Sequence, residues 1–120
     1  MQLITDKGQV EIINLTPHTV NLIRQNKKVL TIPGEGNPPR VEEKIEAKEH
    51  LTVNGDYDIP IYTANNEYVA KLPKKEKGVY YIVSRIIAEY SDRDDLLVPH
   101  GLIRDTKGNV VGCSSFKKVK

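Results

Sequence analysis

The chain has no tryptophan, one phenylalanine, one methionine and one cysteine among 120 residues. A lone cysteine excludes an internal disulfide and a multi-cysteine zinc cluster. Cys113 reads as a small apolar residue on a strand, in keeping with a reducing compartment. With one Phe and no Trp, stacking platforms for single-stranded nucleic acid are few; the six tyrosines could serve, but strands favour tyrosine anyway. No uncharged apolar run approaches the ~18 residues that suggest a membrane span. No basic start followed by an apolar block marks a secretory signal. The chain is therefore expected to be one soluble cytoplasmic domain over residues 1–120, of a length that can bury a single core.

A large excess of either charge is also missing. Eighteen basic and 16 acidic residues leave a net charge of +2, too mild a balance to predict a nucleic-acid partner. The clusters Lys74-Lys75-Lys77 and Lys117-Lys118-Lys120 read as solvated surface. Motifs for chemistry are absent too. There is no G-x-S-x-G, no phosphate-binding G-x-x-x-x-G-K-[ST] and no dinucleotide fingerprint. The three histidines, His18, His50 and His100, share no metal-ligand spacing. A metal site would need distant residues such as His18, Asp95 and His100. No catalytic residue, metal or cofactor is expected, and a non-enzymatic role is preferred.

What is present is a series of short β segments divided by turn signals. Val10 to Leu15 reads as a strand that Pro17 interrupts, because proline cannot donate to a central ladder. Val20 to Ile32 reads as a hairpin around Gln25-Asn26. Pro33 to Pro39 is a surface loop. Arg40 to Ala47 fits either a charged edge strand or a short helix. Asn54-Gly55 is a hairpin signal, Ile59 to Tyr62 an edge strand, and Asn65-Asn66 a turn. Val79 to Val83 has the β-branched and aromatic composition of a central strand. Ser84 is placed to cap a short helix from Arg85 to Tyr90. Leu96 to Val98 is a buried extended piece ended by Pro99. A last hairpin turns at Asp105 to Gly108. The expected fold is mainly β: one compact antiparallel domain, a small sandwich or barrel, with one short helix. Val79, Ile82, Val83, Ile87, Leu97 and Val98 are the expected core.

Three constellations could carry chemistry. Thr16-Pro17-His18 puts a hydroxyl and an imidazole on a kink; its plain alternative is a turn held by the threonine, with the histidine at the surface. Ser84-Arg85 at a helix start could meet an anion, or be a cap beside a surface arginine. Arg93-Asp94-Asp95 before an apolar segment could form a polar pocket. It could equally be a loop held by an ion pair from Arg93 or Arg85 to Asp95.

The same residues carry a resemblance. Asn14-Leu15-Thr16-Pro17-His18, the loop Ile32-Pro33-Gly34-Glu35-Gly36 followed by Arg40, and the segment Arg93-Asp94-Asp95-Leu96-Leu97-Val98-Pro99 resemble a family of small bacteriophage and prophage proteins. The closing hairpin from Arg104 to Gly112 fits the same pattern, which spans about the whole chain. The resemblance implies a small phage protein acting in the host cytoplasm against host defence. The expectation is sequestration of a phosphorylated, nucleotide-derived signalling molecule by Thr16, His18, Arg40, Ser84, Arg85, Arg93 and Asp95. The alternative is a protein-binding inhibitor of a host factor or a minor phage structural component. A homo-oligomer or a host protein are the other partners left open; membrane and nucleic acid are not expected.

Overall fold

The computed structural model describes residues 1–119. Nine strands and one helix follow in chain order: β1 Gln2–Thr5, β2 Gly8–Asn14, β3 Val20–Arg24, β4 Lys27–Ile32, β5 Arg40–Val53, β6 Tyr57–Ala70, β7 Val79–Ile82, α1 Arg85–Tyr90, β8 Leu96–Arg104 and β9 Val110–Lys117. Seven strands form one curled sheet in the order β1-β2-β7-β8-β9-β3-β4, while β5 and β6 form a separate two-stranded ribbon. The mainly β fold with one short helix is as expected. The sheet is mixed, however. Hairpin neighbours β1-β2, β3-β4 and β8-β9 are antiparallel, but β2-β7, β7-β8 and β3-β9 are parallel.

Parallel pairing explains the composition of β7. It is flanked on both sides by parallel neighbours, a position usually buried on both faces and read as a continuous apolar run. Val79, Tyr81 and Val83 join Leu15, Ile87, Ala88, Leu96 and Val98 in one core cluster. Ile82 points the other way, into a second cluster with Val20, Ile32 and Cys113. Two adjacent parallel strands need a crossover, and α1 supplies it between β7 and β8. Leu97, expected in the core, is half-buried at the margin of the second cluster.

Three local expectations are corrected. Asn65-Asn66 is not a turn: both residues lie within β6, opposite Lys44 and Glu43. Pro99 does not end the extended piece, because β8 runs through it to Arg104. Ser84 sits at the helix N-cap with extended backbone, but its hydroxyl makes no capping hydrogen bond.

The ambiguous stretch from Arg40 is a strand. Its register with β6 runs from Arg40↔Ala70 to Val53↔Tyr57. Asn54 and Gly55 turn it at φ of 55° and 74°, the left-handed region that makes this dipeptide a hairpin signal. Cross-strand polar pairs decorate the ladder: the Lys44–Glu67 ion pair at 2.7 Å and the His50–Asp58 hydrogen bond at 2.8 Å. Pro60 is tolerated because a two-stranded ribbon needs only half of its backbone N–H groups. The base of the ribbon is anchored. Val41 and Tyr68 pack on the first core cluster. Tyr68 meets Tyr90 edge to face at 4.7 Å, and the Tyr90 hydroxyl donates to the Asn66 carbonyl. Beyond that anchor the side chains are exposed, and the protein measures 67 × 39 × 23 Å.

Candidate functional site

The kink after β2 is organised by Asn14, which is fully buried. Its amide donates to the carbonyls of His18 (2.7 Å) and Ile32 (2.9 Å). Its Oδ1 accepts from the Thr16 N–H (2.9 Å) and lies 2.7 Å from the Thr16 hydroxyl. Every hydrogen-bonding position of this amide is used, which is what makes burial of a polar side chain tolerable. The loop after β4 closes on the kink through a bridge between Asn14 and Gly34. A Cβ on Gly34 would stand 2.5 Å from the Thr16 carbonyl oxygen, so only glycine allows this approach. The result is a rigid knot from which His18 projects, exposed.

His18 lies where two adjoining cavities meet. One, of about 700 Å³, opens at the C-terminal end of β7 between Thr16-Pro17-His18, Val83-Ser84-Arg85 and Val98 to Leu102, with Lys117 on its wall. The other, of about 560 Å³, continues past Val20 and Lys28 toward Val110 and Cys113. His18, Val20, Pro99 and Leu102 line both. The floor is apolar, from Val20, Val83, Val98, Pro99 and Leu102. The nitrogen-bearing side chains on the walls of the two cavities are His18, Asn21, Lys28, Arg85, His100 and Lys117. Among the described residues, no lining residue of either cavity carries a carboxylate. Gly101 belongs to this wall at φ 67°, and a Cβ there would collide with the Ser114 hydroxyl.

The structure brings together four of the residues singled out in the sequence: Thr16, His18, Ser84 and Arg85 line one cavity. Their roles are unequal. The Thr16 hydroxyl is engaged with Asn14 and lies 3.0 Å from the His18 carbonyl, so it holds the knot. Arg85 is exposed and paired with Glu89 one helical turn on, at 2.7 Å. An exposed pair of this spacing is worth only ~0.3–0.5 kcal/mol, so an incoming anion can displace the glutamate at little cost.

Arg93 and Asp95 do not belong to this site. Asp95 is buried and receives two bonds from Arg93, at 3.0 and 2.6 Å. A third guanidinium nitrogen donates to the Pro73 carbonyl, and the group sits 5.7 Å from the Tyr81 ring centroid. The hydrogen bonds to Asp95 hold the Arg93 guanidinium even more firmly protonated than usual. This is the ion-paired loop, with Arg93 rather than Arg85 as the partner of Asp95. Arg40 stands at the ribbon base, 3.8 Å from Glu42, and lines neither cavity. Asp95 is likewise absent from the cavity that holds His18 and His100. Among the described residues no group of three His, Cys, Asp or Glu side chains is placed to hold a metal ion.

Sequence reasoning missed Asn14, Lys28, His100 and Lys117. Asn14 had a legible signal, a polar amide inside the apolar run Ile12-Ile13-Asn14-Leu15. His100 and Lys117 lie on the two strands of the closing hairpin, and the parallel β3-β9 pairing, which no local pattern announces, brings them together with the β3-β4 hairpin that carries Lys28.

No family model, no curated protein and no solved structure matches this chain. Among the described residues no helix is long and apolar enough to cross a membrane.

Proposed function

We propose that this is a small phage-type binding protein that sequesters a phosphorylated, nucleotide-derived signalling molecule without turning it over. One observation carries the reading: an apolar-floored cavity of about 700 Å³ rimmed by His18, Arg85, His100 and Lys117, with no lining carboxylate. Ligand pockets of small molecules fall in the range of ~300–1,000 Å³ and combine an apolar lining with a few convergent polar groups. A base can rest on Val83, Val98, Pro99 and Leu102 while phosphate oxygens meet the cationic rim. Arg85 contributes a planar donor fork suited to two phosphate oxygens. The resemblance to phage proteins supports the anti-defence role, by analogy of origin.

The test is a thermal-shift screen of cyclic and linear nucleotides, followed by mass spectrometry of the recovered ligand. A ligand at a hundred times its Kd adds about 2.7 kcal/mol of stability, and the recovered molecule should be intact. An altered molecule would make the protein an enzyme, with His18 as the first candidate acid or base. If no nucleotide raises the Tm, the second reading takes over: an inhibitor that binds a host protein, or a minor phage structural component. The exposed apolar ribbon favours that alternative. A pull-down from host lysate recovering one stoichiometric partner would support it.

A further inference from the structure

The β5–β6 ribbon is a long element whose own body covers only its base. Its register divides the distal side chains between two faces. One face carries Leu51 opposite Ile59 and Val53 opposite Tyr57, with Ile61 next along β6 opposite Glu49. Their exposures run from 39% to 68%. The other carries Ile45, Ala47, Tyr62 and Ala64, with Ile45 and Tyr62 more than half exposed. An isolated two-stranded hairpin is marginal in water and needs further packing to be stable. A contiguous apolar strip of this kind marks an interaction surface.

Charge identifies the occupant. Residues 40–70 hold seven acidic and three basic side chains, a net −4; the rest of the chain holds 15 basic and nine acidic, a net +6. Arm and body are therefore opposite in sign, while two arms repel each other. We propose that the ribbon of one copy docks on the body of a second copy, each protomer lending its arm to the next. Exchanged about a two-fold axis such a contact closes a dimer; otherwise it is head-to-tail and closes into a ring or extends as a filament according to its rotation. The distal nine residues of each strand span roughly 30 Å and present roughly 300 Å² on each face at ordinary strand dimensions. A specific interface buries about 800 Å² per partner. One face is too small and both faces together give roughly 600 Å² at the same dimensions, so the receiving body must embrace the arm on both faces and along its edges.

Sedimentation of the full chain across a dilution series tests this, together with the exposed-site double variant Leu51→Asp/Ile59→Asp. The wild type should sediment as an oligomer and the variant as a monomer with unchanged circular dichroism. An aromatic photo-crosslinking residue replacing Tyr57 provides a second measurement that changes one position of the apolar strip and puts no charge on it. It should trap peptides from outside residues 40–70 of another copy. A wild type that is monomeric at every concentration, or crosslinks confined to arm against arm, would overturn the proposal. Assembly does not depend on the nucleotide reading, which the thermal-shift screen tests separately.

Discussion

The sheet body and the β5–β6 ribbon are built from similar residues and treat them oppositely. In the body, Ile32, Ile82 and Val83 are almost fully buried; in the ribbon, Ile45, Ile59 and Val69 are about half exposed or more. Both regions alternate or cluster β-branched residues, and both are ladders with good register. The difference is what lies across the face. Seven strands, a helix and two core clusters cover the body. The ribbon has its own body only as far as Val41 and Tyr68. β propensity thus creates strands in both places, and burial creates stability only in one. Substitutions can be chosen to widen or close that contrast.

The largest effects belong inside the body. Ile82→Ala should cost ~2–5 kcal/mol, since its site cannot collapse around the lost atoms without disturbing Val20, Ile32 and Cys113, which are buried with it. Asn14→Ala should fall in the same range. It strands the buried Ile32 carbonyl, at ~1–3 kcal/mol for an unpaired buried group, and the part-buried His18 carbonyl and Thr16 N–H for less. Urea denaturation reads both directly. A loss below ~0.5 kcal/mol for Asn14→Ala would mean that the knot beneath His18 is held by the chain's other contacts.

The next effect separates scaffold from site. Arg93→Lys keeps the charge but cannot reproduce two bonds to Asp95 and one to Pro73, so it should lower the Tm. The expected cost is ~1.5–3 kcal/mol for bonds to a charged group. Arg85→Lys should leave the Tm nearly unchanged, since that side chain is exposed and its pair with Glu89 is weak. It should instead weaken nucleotide binding about ten- to hundredfold, for one lost charge-assisted bond. The opposite pattern would move the anion site from the His18 cavity to the Arg93 loop.

How much of this was legible follows from the range of the interactions involved. The strands, the Asn54-Gly55 turn and the Asp105–Gly108 hairpin rest on neighbours in sequence, and local composition revealed them. So did β7, whose unbroken apolar run signals burial on both faces. The parallel partners of β7 were not legible, because β2 and β7 are separated by the whole of β3 to β6. Asn65-Asn66 misled for a related reason. Asparagine favours turns through its own backbone contacts, yet a ladder of ribbon pairs from Arg40 to Val53 outweighs that preference. Of the site, the residues on the Thr16–His18 kink and the Ser84–Arg85 junction were found because a proline and a strand end mark them. Arg93 and Asp95 carried the same kind of signal but serve the loop.

A smaller effect concerns pH. Burial pushes the Tyr81 hydroxyl above its ordinary pKa, with Glu76 adding to the rise; burial likewise raises the Cys113 thiol. In the unfolded chain both groups ionise at their lower, ordinary values. The unfolded state therefore loses protons first as pH rises, and stability falls with pH from about 8.5 upward. The loss is complete only above the folded values. At neutral pH both contributions are fully present. Denaturation midpoints measured from pH 7 to pH 10 should decline, and Cys113→Ala should flatten the first part of that decline. A thiol reagent at pH 8 should modify Cys113 only as fast as the protein opens. Immediate modification would place Cys113 at the surface of its cavity rather than beneath it.

The smallest effect is expected in the ribbon, and it completes the contrast with Ile82. Ile59→Ala removes the same kind of atoms from a side chain that is 46% exposed and opposite Leu51 alone. At protein concentrations too low for assembly, the change should stay within ~0.5 kcal/mol, as for surface sites generally. The cross-strand contact it weakens is worth ~0.2–1 kcal/mol, partly offset because less apolar surface is left in water. If a second copy covers this face, the substitution should become costly as concentration rises, since binding stabilises the folded state by mass action. Melting curves of wild type and Ile59→Ala should therefore coincide when dilute and separate when concentrated. A gap of several kcal/mol at the lowest concentration would mean that the ribbon is already part of a core within a single chain.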